Sequence, residues 1–178
     1  TSAPSAEAYS ILTPDGATVT YSSNRAGPQN LFSIATDGSG VEQRLTTAAY
    51  SQQPSSWSPD GTRLAFTQWE PKTGSDIWLY SKHEGSATPF LCSPFNEASA
   101  HFSPDGHWIA YSSDESGRVE IYILPTPGKV GVKRKVSTAG GREPVWNPRG
   151  GELFYLNEND LMSVQVKFQP SLTIGIPF

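Results

Sequence analysis

The residues of this 178-residue chain best suited to chemistry are three histidines, one cysteine and a recurring series of aspartates. Serine hydrolysis needs a nucleophile on a Gly-x-Ser-x-Gly elbow or an equivalent triad, and no such elbow occurs; Gly38-Ser39-Gly40 reads as a hairpin turn. His83 falls in a Gly-containing turn and His107 directly follows a Pro-Asp-Gly turn, so both are expected at the surface. His101, beside Phe102 on an apolar segment, is expected to be packed or to line a channel, with ligand binding as the sharper alternative. No carboxylate has metal-ligand spacing to His101 and His107, and no zinc site is expected. The lone Cys92 excludes an intrachain disulfide and is expected to be a small buried hydrophobe. Asp15, Asp60 and Asp105 could be read as a catalytic or calcium series, since they recur. Each stands between Pro and Gly, however, where a carboxylate accepts backbone N–H groups, and Arg149 replaces it in a fourth copy. A turn role is therefore expected.

Two other groups deserve weighing. Asp114, Glu115, Glu120 and the Asn157 to Asp160 stretch read as acidic loop residues without calcium-loop spacing. Lys129, Lys133, Arg134 and Lys135 form the one basic run, placed where charges on an outer strand deter sheet-to-sheet association. Among the five tryptophans, Trp57 and Trp146 occupy equivalent core positions and Trp78 alternates within a strand. Trp69 and Trp108 stand near loops, and Trp69 is the best candidate for an exposed binding aromatic. The net charge of −4 argues against a nucleic-acid groove, no apolar run is long enough to span a membrane, and the opening TSAPSAEAYS lacks the pattern of a signal peptide. No cofactor is expected.

A repeat positions all of these residues. ILTPDGATVTYSS returns as WSPDGTRLAFTQ, then FSPDGHWIAYSS, then, degraded, as WNPRGGELFYLN. Pro14, Pro59, Pro104 and Pro148 stand 45, 45 and 44 residues apart. A large apolar residue precedes each proline by two: Leu12, Trp57, Phe102, Trp146. An aromatic follows each seven residues on: Tyr21, Phe66, Tyr111, Tyr155. Every unit contains four short strand patterns separated by Gly-rich turns, with no amphipathic helical stretch, and four-stranded units at this period are β-propeller blades. The sequence therefore predicts an all-β propeller of four four-stranded blades, a partial ring or half of an eight-bladed dimeric ring, forming a single domain or fragment over 1–178 with blades near 5–47, 51–92, 97–138 and 141–178.

The strings WSPDGTRLAF and FSPDGHWIAYSSDESGRVEIYI resemble the Pro-Asp-Gly repeat of the TolB-like, WD-repeat-like propellers. These recur in TolB and in the extracytoplasmic parts of some bacterial Ser/Thr kinases. The resemblance covers about 5–178 and implies a periplasmic or extracytoplasmic interaction or sensor module within a larger bacterial protein. Its matching residues are structural, so it transfers no contact residue. Propellers bind at the channel mouth, in the segments entering each innermost strand. Gln53, Asn96, Glu97, His101 and Arg142, with Trp69, are therefore the candidate contacts for a protein, peptide or small polar ligand. Two enzyme-linked alternatives are the lid of a prolyl oligopeptidase-type peptidase and a channel-site lactonase or lyase. Four blades form an arc with two apolar end faces, which further blades of a longer protein or a head-to-tail homodimer of eight blades would cover, and the homodimer is expected for the isolated chain.

Overall fold

The computed structural model describes residues 5–168 and 172–178; the stretch 169–171 of the fourth expected blade lies outside the described residues. Among the described residues, sixteen strands form four antiparallel sheets of four. The first sheet contains β1 (Glu7–Leu12), β2 (Thr18–Ser23), β3 (Asn30–Ala35) and β4 (Gln43–Arg44). The second contains β5 (Gln52–Trp57), β6 (Arg63–Glu70), β7 (Gly74–Ser81) and β8 (Ser86–Leu91). The third contains β9 (Glu97–Phe102), β10 (Trp108–Ser113), β11 (Glu120–Pro125) and β12 (Arg134–Lys135). The last contains β13 (Arg142–Trp146), β14 (Glu152–Asn157), β15 (Asp160–Lys167) and β16 (Thr173–Ile174). In each sheet the strands lie in chain order, the meander of a propeller blade.

The Pro-Asp-Gly turn closes the first hairpin of each blade through local hydrogen bonds. Asp15 Oδ1 accepts from Thr13 Oγ1 at 2.6 Å and from the Ala17 amide at 3.0 Å. Asp60 repeats this with Ser58 Oγ at 2.6 Å and the Thr62 amide at 3.1 Å, and Asp105 with Ser103 Oγ and the His107 amide. These donors hold Asp15 and Asp60 below the usual carboxylate range, through the side-chain hydroxyl first and the amide next. In the fourth blade the acceptor moves two positions back, to Asn147 Oδ1, which takes the Arg149 amide at 3.0 Å. The turn glycines Gly16, Gly61, Gly106 and Gly150 have φ between 67° and 76°, a conformation glycine adopts without Cβ strain. The aspartates are turn acceptors, as their sequence context predicts.

Period-two alternation sends successive side chains to opposite faces, so each central strand feeds two seams. Leu64 and Phe66 face the first blade, where they bury Leu31 and Tyr80 with them. Ala65, Ile77 and Leu79 face the third blade and meet Phe102, Ile109, Tyr111 and Tyr122. The last seam gathers Trp108, Ile121, Ile123, Trp146, Leu153, Tyr155 and Val164. Fully burying a side chain of this kind contributes about 1.5–3 kcal/mol, so the stability resides between blades rather than within them. The innermost strands pack in order, β1 on β5, β5 on β9 and β9 on β13, and no comparable packing joins β13 to β1. Leu12 on the first face and Leu161 on the last stay 58% and 69% exposed.

Several expectations need correction. Cys92 is exposed, because it lies just past β8, where the chain leaves the rim for the next blade. Trp108 is a core residue: it opens β10, and its ring stacks on Phe168 with centroids 6.1 Å apart, between the third and fourth blades. Trp57 is only half-buried, at the edge of the first seam, with Nε1 donating to Thr20 Oγ1 at 3.2 Å. Glu120 is a fully buried strand residue rather than a loop acid, because Arg118 and Lys135 neutralise it. Only a tight turn separates the two central strands of the second blade, with β6 running through Glu70 and β7 starting at Gly74.

Candidate functional site

The four innermost strands are irregular at one shared place. Pairing slips between Ala8 and Ile11 in β1, between Ala98 and His101 in β9, and between Arg142 and Val145 in β13. Two residues there oppose one on the neighbouring strand, the definition of a β-bulge. In each of these bulges one non-glycine residue adopts positive φ: Tyr9 at 55°, Ser99 at 54° and Glu143 at 54°. The equivalent residue of β5 is Pro54, whose ring forbids that conformation, and the slip there moves to between Pro54 and Ser56. Non-glycine residues in this region carry strain that the surrounding structure must hold, and such strain concentrates at functional sites.

The bulges of β9 and β13, with β5 beside them, line a recess of about 240 Å³. Its walls are Gln53, Ser55, Ser99, His101, Glu143 and Val145, with Pro54 at its edge. Burial between the innermost strands pushes the His101 imidazole down to about 4, so at neutral pH it is uncharged and offers one donor and one acceptor. Two contacts hold the floor. Trp146 Nε1 donates to the His101 carbonyl at 3.0 Å. Ser56 Oγ donates to the Ala100 carbonyl at 2.9 Å and accepts from the Phe102 amide at 3.0 Å. Amide, hydroxyl, neutral imidazole and carboxylate groups thus share one small concavity, which suits hydrogen bonding to a polar ligand.

Of the residues singled out from sequence, Gln53 and His101 line this recess. Arg142 adjoins it, with Nη1 3.2 Å from Glu143 Oε1 and Nη2 donating to the Glu158 carbonyl at 2.9 Å. Asn96 instead fastens a loop: it donates to Asp114 Oδ2 at 2.7 Å and accepts the Ser75 amide at 3.2 Å. Glu97 is fully buried in the seam between the second and third blades. Trp69 is 42% exposed at the far end of β6, outside the recess. Ser99 and Glu143 were missed. Their signal is the repeat register itself, which aligns Tyr9, Pro54, Ser99 and Glu143 at one position.

Known proteins share this architecture. The sequence profile of the TolB beta propeller domain matches residues 47–173. An uncharacterized peptidase of Bacillus subtilis, YuxL, is 32% identical over 112 residues, which is 58% of this chain and 17% of that protein. A TolB homolog of Chlorobium luteolum is 28% identical over 150 residues, 80% of this chain and 32% of that protein. The chain therefore spans a third or less of the length of both relatives. The structure of a TolB protein from Agrobacterium tumefaciens superposes with a TM-score of 0.76 at 19% identity, covering 94% of this chain and 64% of that one.

Proposed function

Because the chain belongs to the TolB beta propeller domain family, we propose that it is a non-enzymatic recognition module that takes a short peptide or small polar ligand in the recess of its innermost strands. The observation that carries this reading is the coincidence of two positive-φ bulge residues, Ser99 and Glu143, with Gln53 and His101 around one polar concavity. Nothing in that group supplies an activated nucleophile. Among the described residues no hydrogen bond joins a recess serine to His101, and no carboxylate bonds to the His101 ring. The resemblance to TolB supports an extracytoplasmic location.

Panning the chain against a random peptide display library tests the reading. Enriched peptides should lose at least about tenfold in affinity with Gln53→Ala or His101→Ala, the loss of a desolvated hydrogen bond, and should be indifferent to Trp69→Ala. Peptides insensitive to both recess variants would contradict it. The peptidase relative favours a second reading, in which the same arc is the propeller portion of a larger hydrolase and the recess meets substrate on its way to a site elsewhere. For the two end faces, we propose a second copy of the chain as the covering partner, blade one against blade four. Light scattering on an eluting size-exclusion peak should give the dimer mass, and a monomer at micromolar concentration would overturn that pairing.

A further inference from the structure

The three seams between blades solve the same burial problem differently. At equivalent repeat positions they carry Asn30 and Gln52, then Asp76 and Glu97, then Glu120 and Gly141, and all five polar side chains are at most 2% exposed. The first seam buries two uncharged amides. Asn30 Oδ1 accepts from Arg44 Nη2 at 2.7 Å and from the Ala48 amide at 2.9 Å, while Gln52 accepts from Thr46 and donates to Gln68 Oε1 at 2.7 Å. The third seam holds one carboxylate, Glu120, met by Arg118 Nε at 2.7 Å, Lys135 Nζ at 3.1 Å, the Gly140 amide at 3.0 Å and the Ser137 hydroxyl.

Among the described residues, the second seam buries two carboxylates, Asp76 and Glu97, and no cation. Arg44 and Lys135 pair with Phe32 and Tyr122 on their third strands, but the residue pairing with Trp78 at that place is Pro89. Where the other seams place the Thr46 and Ser137 hydroxyls, this one has Cys92, and the hydroxyl moves to Ser93. Thr73 donates to Asp76 Oδ2 at 2.5 Å and Ser93 to Glu97 Oε1. Asp76 Oδ1 and Glu97 Oε2 are left buried without a hydrogen-bond partner, as is the Tyr111 hydroxyl on β10. The charged groups acting on the pair are also acidic: Glu70 from the end of β6 on Asp76, and Glu115 from the β10–β11 loop on Glu97. Glu115 is itself paired with Lys133, and no ion pair among the described residues reaches Asp76 or Glu97.

Two buried like charges without a counter-ion cannot both persist. A metal ion would need several converging ligands, and no three His, Cys, Asp or Glu side chains among the described residues are so arranged. A proton needs neither ligands nor space. We propose that Asp76 and Glu97 hold one proton between them, making the seam between the second and third blades an acid-closed joint. Burial first, and the neighbouring carboxylates after it, push Glu97 up to about 6, and burial likewise raises Asp76. As pH rises through about 6 the proton leaves, the two charges repel and the seam loosens. The recess lies across this seam, with Gln53 and Ser55 on one blade and Ser99 and His101 on the next. Glu97 begins the strand that carries Ser99 and His101, so the joint controls the spacing of the recess walls.

A carbon-detected carboxyl titration of the intact, isotope-labelled chain tests this. The Glu97 carboxyl resonance should inflect near pH 6, and the Asp76 resonance should report the same transition, because a shared proton belongs to the pair. Asp76→Asn should lower the Glu97 midpoint by at least about half a unit, since it removes a charge while keeping the shape. A Glu97 midpoint at or below 4.5 in the unaltered chain would overturn the proposal, and this needs no variant to fold. So would a midpoint unmoved by Asp76→Asn, which would mean burial alone, or one that shifts with calcium chloride but not with sodium chloride of equal ionic strength.

Discussion

Glu120→Gln should destabilise the chain substantially at neutral pH, and the structure sets how much. The carboxylate is fully buried and receives four donors: Arg118 Nε, Lys135 Nζ, the Ser137 hydroxyl and the Gly140 amide. Glutamine offers one acceptor oxygen and turns an NH₂ group toward donors. Hydrogen bonds involving a charged group are worth about 1.5–3 kcal/mol each. Arg118 and Lys135 are 55% and 38% exposed, so water recovers much of their solvation and the ion-pair part must be discounted. What remains is the loss at Ser137 and Gly140, together with the misdirected amide, a net cost of about 2 kcal/mol. Urea unfolding at pH 7 should therefore show a lower midpoint with an unchanged slope. Although burial opposes it, the surrounding donors hold the Glu120 carboxyl below its usual range. Its stabilisation is thus present above the unfolded-state value and fades as pH falls through the folded one, and the gap between variant and parent should narrow in acid. Glu97→Gln should do the opposite above pH 6, raising stability by up to about 2 kcal/mol, since it relieves a carboxyl pushed from 4.5 to about 6. If both glutamine variants shifted the midpoint in the same direction, the reading of these seams as ion-satisfied and ion-starved would fail.

Other perturbations probe the packing and the recess. Trp146→Ala, which empties a core site and abandons the bond to the His101 carbonyl, should cost about 3–5 kcal/mol, while the exposed Trp69→Ala should cost under about 1 kcal/mol; equal losses in chemical denaturation would show that the seams are misassigned. Gly141→Ala should lower stability by about 1–3 kcal/mol, because a Cβ there would stand 2.7 Å from Ile121 Cγ1 and 3.0 Å from Tyr155 Cδ2; a neutral thermal melt would refute that close approach. His101 is held near 4 against an ordinary 6.5, so the unfolded chain binds its proton first and this site removes stability as pH falls from 6.5 toward 4. His101→Gln should flatten that part of the stability profile, and an unchanged slope would mean that the imidazole is solvated.

The blade architecture was legible because it is written locally and repeatedly. The Pro-Asp-Gly turn needs one ring, one carboxylate and one positive φ, all adjacent in sequence, and the alternating runs at Leu64–Thr67 and Ile109–Ser112 declare two buried faces. The errors lie where a residue's environment comes from another blade. Trp108 read as loop-proximal because it follows a turn, yet the ring it stacks on belongs to Phe168, 60 positions away. Glu120 read as a loop acid because its neutralising Lys135 arrives on a different strand. Gln53 and His101 were identifiable as inner-strand residues, but Ser99 and Glu143 join them only through bulges, and a bulge is a register event that residue types do not announce. The contrast between Pro54 and its three repeat equivalents was the one available hint.

The most direct test of the recess as the recognition site is amide chemical-shift mapping of the isotope-labelled chain titrated with the strongest peptide from the display selection. The account predicts saturable shifts clustered at Gln53, Ser55, Ser99, His101, Glu143 and Val145, on the three innermost strands that line the concavity. Shifts centred instead on the Pro-Asp-Gly turn face around Asp60, Arg63, Asp105, His107 and Lys129, with the innermost strands silent, would contradict it.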